Sequence, residues 1–148
     1  MPPWIIGSFA FILSISLYPL VVTGQVVYEL PSLMGQGLMF RADFLGFVFA
    51  VLASFIWLVA TVYSSHYMRQ QRANSRYYIF LLLSLGGCLG VFVAGDFLSL
   101  FLFFEAMTLA AYVLVVHSES EDALAAGRKY LYMGIFGGLC LLVAILLL

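Results

Sequence analysis

Residues 101–112 read FLFFEAMTLAAY, and the single carboxyl in that stretch is Glu105. Burial disfavours the charged form of any carboxyl, whereas a nearby cation favours it. A carboxyl held between those two pulls gains and loses a proton as its surroundings change, which is the physical requirement for a proton relay. The structural alternative is a neutral glutamic acid hydrogen-bonded between helices. Thr108 and Tyr112, three and seven residues on, share its helical face and offer polar company. Ionisable side chains inside a membrane are expensive and read as functional by default.

Other candidates carry weaker signals. Lys129 begins the last apolar run, and on spacing alone it reads as an ordinary snorkelling lysine. His117 ends the run that holds Glu105, twelve residues and about 18 Å of helix further along. Alone it reads as an interfacial histidine. His66 sits among arginines and looks solvated, and Asp43 and Asp96 stand where helix N-caps would. Cys88 and Cys140 lie inside apolar runs, with no CxxC and no Cys/His cluster, so neither a disulfide framework nor a metal site is suggested. There is no nucleophile–base pair, phosphate loop or haem-ligand pair. No cofactor is expected in this chain, and an ion gradient or another subunit must drive whatever work it does.

The elements that position these residues follow from composition. Of 148 residues, 65% are hydrophobic and only 9% charged, against about 25% charged in a soluble domain. Too little polar surface remains to face water, so the chain reads as an all-α integral membrane protein. A net charge of −1 and scattered basic residues give no argument for nucleic acid. The N-terminal run lacks a basic segment and is longer than a signal-peptide core, so it reads as a retained span.

About 20 apolar residues of helix cross a hydrocarbon core of roughly 30 Å. Five segments qualify as transmembrane helices, at about residues 4–22, 44–63, 77–94, 97–116 and 130–148, forming one membrane domain. The runs are long and continuous rather than alternating, which favours helices over strands. Residues 23–43 hold Gly24, Pro31, Gly35 and Gly37 and read as a loop. The second connection carries Arg69, Arg72 and Arg76 with no acid, which points it to the cytoplasm. Alternation then places the connection with Arg128 and Lys129 on that side, the N-terminus in the cytoplasm and the C-terminus outside. Nine residues separate Asp96, at a membrane edge, from Glu105, or about 13.5 Å, so the carboxyl falls near the midplane.

Smaller signals refine the picture. Gly86 and Gly90, and Gly134 and Gly138, are spaced four apart within two of the runs and predict close helix contacts. Pro19 predicts a kink near the end of the first span. Residues 122–130, DALAAGRKY, read as an amphipathic lead-in to the last span, with Ser118 or Ser120 as its cap.

Together these residues resemble a family. Asp96, Glu105-Ala106, Thr108, Tyr112-Val113-Leu114 and Lys129-Tyr130, in that order, look like the core of the antiporter-like membrane subunits. Such subunits occur in respiratory complex I (NADH-quinone oxidoreductase), in Mrp sodium/proton antiporters and in membrane-bound hydrogenases. Upstream, RADFLGFVF with Asp43, and VYSSHYM with Tyr63-Ser64 and Tyr67-Met68, continue the resemblance across residues 36–148.

The resemblance implies a proton- or sodium-translocating subunit of a redox-driven or antiporter complex in the inner membrane of a prokaryote. It implies that Glu105 is the essential membrane glutamate, paired in relatives with a lysine on a broken helix further along. Lys129 and His117 would be weaker contributors to a cytoplasmic access route. Family members are much longer and hold two inverted helix repeats. This chain therefore resembles an N-terminal part, split or truncated, and the expectation is that a neighbouring chain supplies the remaining helices and the lysine. Redox cofactors, in a redox-driven complex, would belong to partner subunits. The alternative is a structural membrane subunit that has lost transport.

Overall fold

A computed structural model describes residues 3–16, 18–23, 26–33, 36–67 and 74–148. Within them run α1 (Pro3–Ser16), α2 (Tyr18–Thr23), β1 (Val26–Leu33), β2 (Gln36–Ala42), α3 (Phe44–Tyr67), α4 (Asn74–Val93), α5 (Phe97–Val115) and α6 (Glu121–Leu147). Among these residues, α3, α4, α5 and α6 are each long and apolar enough to cross a membrane. The described part of the first expected span comprises α1 and α2, and Leu17 between them lies outside the described residues. Pro19, the expected kink position, lies within α2.

Local chemistry sets the helix starts. Asp43 Oδ1 accepts the N–H of Gly46 at 2.7 Å and begins α3. Asp96 caps α5 by accepting the N–H of Ser99 at 3.0 Å. Ser120 caps α6 through the N–H of Ala123 at 3.2 Å, and Glu121 and Asp122 occupy the first turn, where negative charge suits the helix dipole. Because α6 runs without a break from Glu121, the lead-in and the last span are one helix of 27 residues.

Residues 26–33 and 36–42 correct the expectation of an irregular loop, while Gly24 and Gly35 lie outside the described residues. The two strands form an antiparallel hairpin in which Val26 pairs with Ala42 and Leu30 with Leu38. The register shifts between Leu30 and Leu33, a stretch that includes Pro31. Proline is tolerated in sheets at such irregularities because it cannot donate to the ladder. The hairpin is anchored to the turn between α4 and α5. Phe40 bridges to Ala94, Gly95 donates its N–H to the Met39 carbonyl at 2.8 Å, and the Phe40 and Phe103 rings meet at 5.9 Å.

Packing is sequential: α1 on α3, α3 on α4, α4 on α5 and α5 on α6. Apart from Leu81 and Leu85, the buried side chains among the described residues are small, and the largest that are fully buried are Thr61, Ser54 and Ser99. Large apolar residues such as Phe55, Phe136 and Leu146 face outward. Lipid is as apolar as leucine, so burying leucine between helices gains little, and close backbone approach with polar links holds the bundle instead. Ser14 and Ser54 join α1 to α3 at 2.8 Å. The Trp57 indole donates to the Leu81 carbonyl at 3.1 Å and joins α3 to α4. Between α4 and α5 the close approach is made at Gly87, against Met107, and at Gly90, against Phe103. Gly86, expected in that role, faces open space.

Candidate functional site

Glu105 sits in the middle of α5, nine residues past its cap. Its face is turned toward α6, and three glycines of α6 receive that face. Gly127 lies against Val116 and Tyr112, Gly134 against Thr108 and Gly138 against Glu105. A methyl group placed on Gly134 would come within 2.6 Å of Thr108 Cγ2, and one on Gly138 would overlap Glu105 Oε1. The helices run antiparallel, so the seam carries Tyr112, Thr108 and Glu105 in order toward the hairpin end.

The Oε1 atom of Glu105 is buried and has no hydrogen-bond partner among the described residues. Thr108, three residues on, lies on the same seam, but its hydroxyl donates to the Phe104 carbonyl at 2.9 Å rather than to the carboxyl. Thr108 is buried and Tyr112 half-buried. Among the described residues no cation reaches Glu105; the ion pair the structure contains is Arg76–Glu119 at 2.7 Å. A buried, unpaired carboxyl oxygen is costly, and such groups mark places where a proton, an ion or a further partner is accommodated.

The other expected site residues lie elsewhere. Lys129 is exposed on α6. It is nine residues from Gly138, about 13.5 Å along the axis and half a turn round, so it faces away from the seam. His117 follows the end of α5 and is half-buried, with its ring 5.3 Å from that of Tyr77 at the start of α4. Its Nδ1 is buried without a hydrogen-bond partner among the described residues. The structure therefore brings Glu105, Thr108 and Tyr112 onto one seam and places His117 and Lys129 toward the far end of the bundle.

That far end holds a grouping the sequence did not show. Arg76, read only as a topology signal, pairs with Glu119 across 43 positions, and the next residue, Tyr77, packs its ring on His117. Glu119 takes a positive φ of 54° in the short connection before α6. The side chain of His66, and Arg69 and Arg72 altogether, lie outside the described residues. At the opposite end, burial works against the charge on Asp96. Hydrogen bonds from the Ser99 hydroxyl and from the N–H groups of Ser99, Met39 and Leu98 outweigh it and hold the carboxyl below its ordinary value. No group of three or more His, Cys, Asp or Glu able to hold a metal occurs among the described residues.

Comparison with known proteins places this seam in context. Residues 94–148, from the α4–α5 turn through α6, match the family described as NADH:quinone oxidoreductase/Mrp antiporter, transmembrane. A Na(+)/H(+) antiporter subunit of Alkalihalophilus pseudofirmus is 29% identical over 147 residues, covering 95% of this chain and 30% of that protein. A Na(+)/H(+) antiporter subunit of Staphylococcus aureus is 30% identical over 142 residues, covering 93% of this chain and 18% of that protein. A chain in the structure of the membrane-bound sulfane sulfur reductase, an archaeal respiratory membrane complex, superposes with a TM-score of 0.80 at 28% identity. The match covers 95% of this chain and 22% of that one. Over nearly its whole length this chain is similar to antiporter-like subunits of the complex I and Mrp family. It is a multi-pass membrane protein that spans less than a third of the length of these relatives. The match in residues 94–148 covers the capped start of α5, Glu105 and the whole of α6.

Proposed function

We propose that this chain contributes the glutamate side of an ion-translocation site, moving protons or sodium, in a multisubunit membrane complex. One observation carries the reading: a carboxyl oxygen is buried halfway along α5, against α6, with no hydrogen bond or cation among the described residues. Glu105 is the switching group, its protonation coupled to a positive partner that approaches and withdraws. That partner is a lysine on helices beyond residues 1–148, and other membrane subunits complete the path. The relatives named as Na(+)/H(+) antiporter subunits, and the likeness to a chain of a respiratory membrane complex, support this assignment.

The bundle end with Arg76, His117 and Lys129 faces the cytoplasm, so the N-terminus is cytoplasmic, in the inner membrane of a prokaryote. His117 and Lys129 lie on the access route at that end. Any redox cofactors of the complex reside in partner subunits.

The test is Glu105→Gln in the intact assembly, with ion movement measured in sealed vesicles. Gln keeps the size and hydrogen-bonding capacity but cannot ionise. Transport is expected to fall to background while the complex still assembles. Full transport in the variant would leave a structural subunit as the correct reading.

A further inference from the structure

We propose that Gly138 is the positioning residue for the Glu105 carboxyl, and that its missing side chain is what lets the carboxyl occupy the α5–α6 seam. The inference deepens the translocation reading and rests on it for its functional meaning. A Cβ on Gly138 would overlap Oε1 and lie 2.8 Å from Cδ and 3.5 Å from Oε2. The whole carboxyl group therefore rests on bare α6 backbone, where any side chain would displace it. One residue before, Gly137 has nothing within 4 Å of the corresponding position. The two adjacent glycines share helix, depth and propensity, and they differ in what they face. Thr108 is fitted against Gly134 in the same manner, one turn away, so α6 cannot easily slide to relieve a clash at Gly138. The slot holds the acid inside the bundle rather than at its lipid-facing edge, in reach of groups that dock on the seam.

The experiment compares G138A with G137A in membranes carrying the assembled complex. The readout is the rate at which a hydrophobic carbodiimide modifies Glu105, followed by mass spectrometry of the α5 peptide. G138A is expected to change that rate about fivefold or more, the scale of a core overpacking penalty, while G137A matches the wild type. Shortening the acid provides a second arm. E105D retracts the carboxyl by one methylene, so the G138A effect on labelling is expected to shrink in the E105D background. Equal labelling of G138A and G137A, or identical G138A effects with Glu and Asp, would overturn the proposal. Labelling reads the position of the carboxyl whatever the outcome of the E105Q transport assay, so failure of the seat and failure of the translocation reading are told apart.

Discussion

The Asp96 carboxylate accepts the backbone N–H of Met39 at 2.9 Å while it caps α5 through Ser99. One side chain thus ties the hairpin to the helix that carries Glu105. Asp96→Ala removes both links and is expected to destabilise the protein by about 1–2 kcal/mol, the scale of a lost N-cap. Thermal unfolding in nanodiscs measures it, and protease cleavage of the hairpin should accelerate alongside.

The same carboxylate gives a pH dependence of defined sign. Its folded value is held below the ordinary 3.8. Its contribution is therefore complete above the unfolded value and is lost as pH falls through the folded one. Asp96→Asn can still accept a hydrogen bond from Ser99 but has no proton to take up. Acid titration of unfolding should show the wild type losing stability below about pH 3.8 more steeply than the Asn variant. Parallel curves would show that Asp96 is not the titrating group.

Ser14 and Ser54 form one polar link between α1 and α3, and each hydroxyl also lies within reach of its own helix carbonyl, at Ala10 and Ala50. A hydroxyl has one proton, so one serine donates along its helix and the other across. Interhelical hydrogen bonds in membranes contribute about 0.6 kcal/mol on average. Ser54→Ala is expected to cost about that much, and Ser14→Ala little more once Ser54 is gone. A double-mutant cycle on thermal unfolding measures the coupling; strict additivity would show that the contact is not formed in the bilayer.

The acid in its apolar run, the caps at Asp43 and Asp96 and the helical spans were legible because each is a local signal: period, length or cap chemistry. The hairpin was not. Pro31 and the neighbouring glycines outweighed the strand-forming VVY and LMF, and its stability comes from long-range ties to Ala94, Gly95 and Asp96. Nor was the seat of Glu105. The spacing of Gly134 and Gly138 announced a contact but not its partner, because rotation of one helix about its axis against another leaves no mark in sequence. The same ambiguity chose Gly86 where the structure uses Gly87.

That difference in α4 makes its own prediction. A Cβ on Gly87 would meet the backbone of Met107 at 3.0 Å, which cannot step aside, whereas on Gly90 it would meet the Phe103 ring, which has a side-chain torsion to spare. On Gly86 it meets nothing within 4 Å. Alanine substitutions should destabilise in the order Gly87, Gly90, Gly86, with Gly87→Ala costing about 1–3 kcal/mol as overpacking. Gly86→Ala should be neutral or slightly stabilising, since alanine favours helix over glycine. Melting temperatures and yields of the three variants check the order.

His117 poses the remaining question about the proposed access route, because its ring could matter as a wedge or as a base. Its ring packs 5.3 Å from that of Tyr77, and Nδ1 is buried without a partner among the described residues. His117→Phe keeps a ring against Tyr77 and removes both nitrogens; His117→Ala removes the ring as well. A wedge predicts that Phe preserves both stability and transport. A proton-access role predicts that Phe preserves melting temperature yet slows ion movement as much as Ala does, with the larger deficit at high pH, where protons are scarce. The second pattern is expected, since a buried ring nitrogen without a partner carries a desolvation cost and such groups in native structures mark positions of function or of a bound water or ion. Vesicle transport assays from about pH 6 to 8, together with unfolding measurements on the same preparations, separate the two. Wild-type transport in the Phe variant at every pH would remove His117 from the route and leave it as packing.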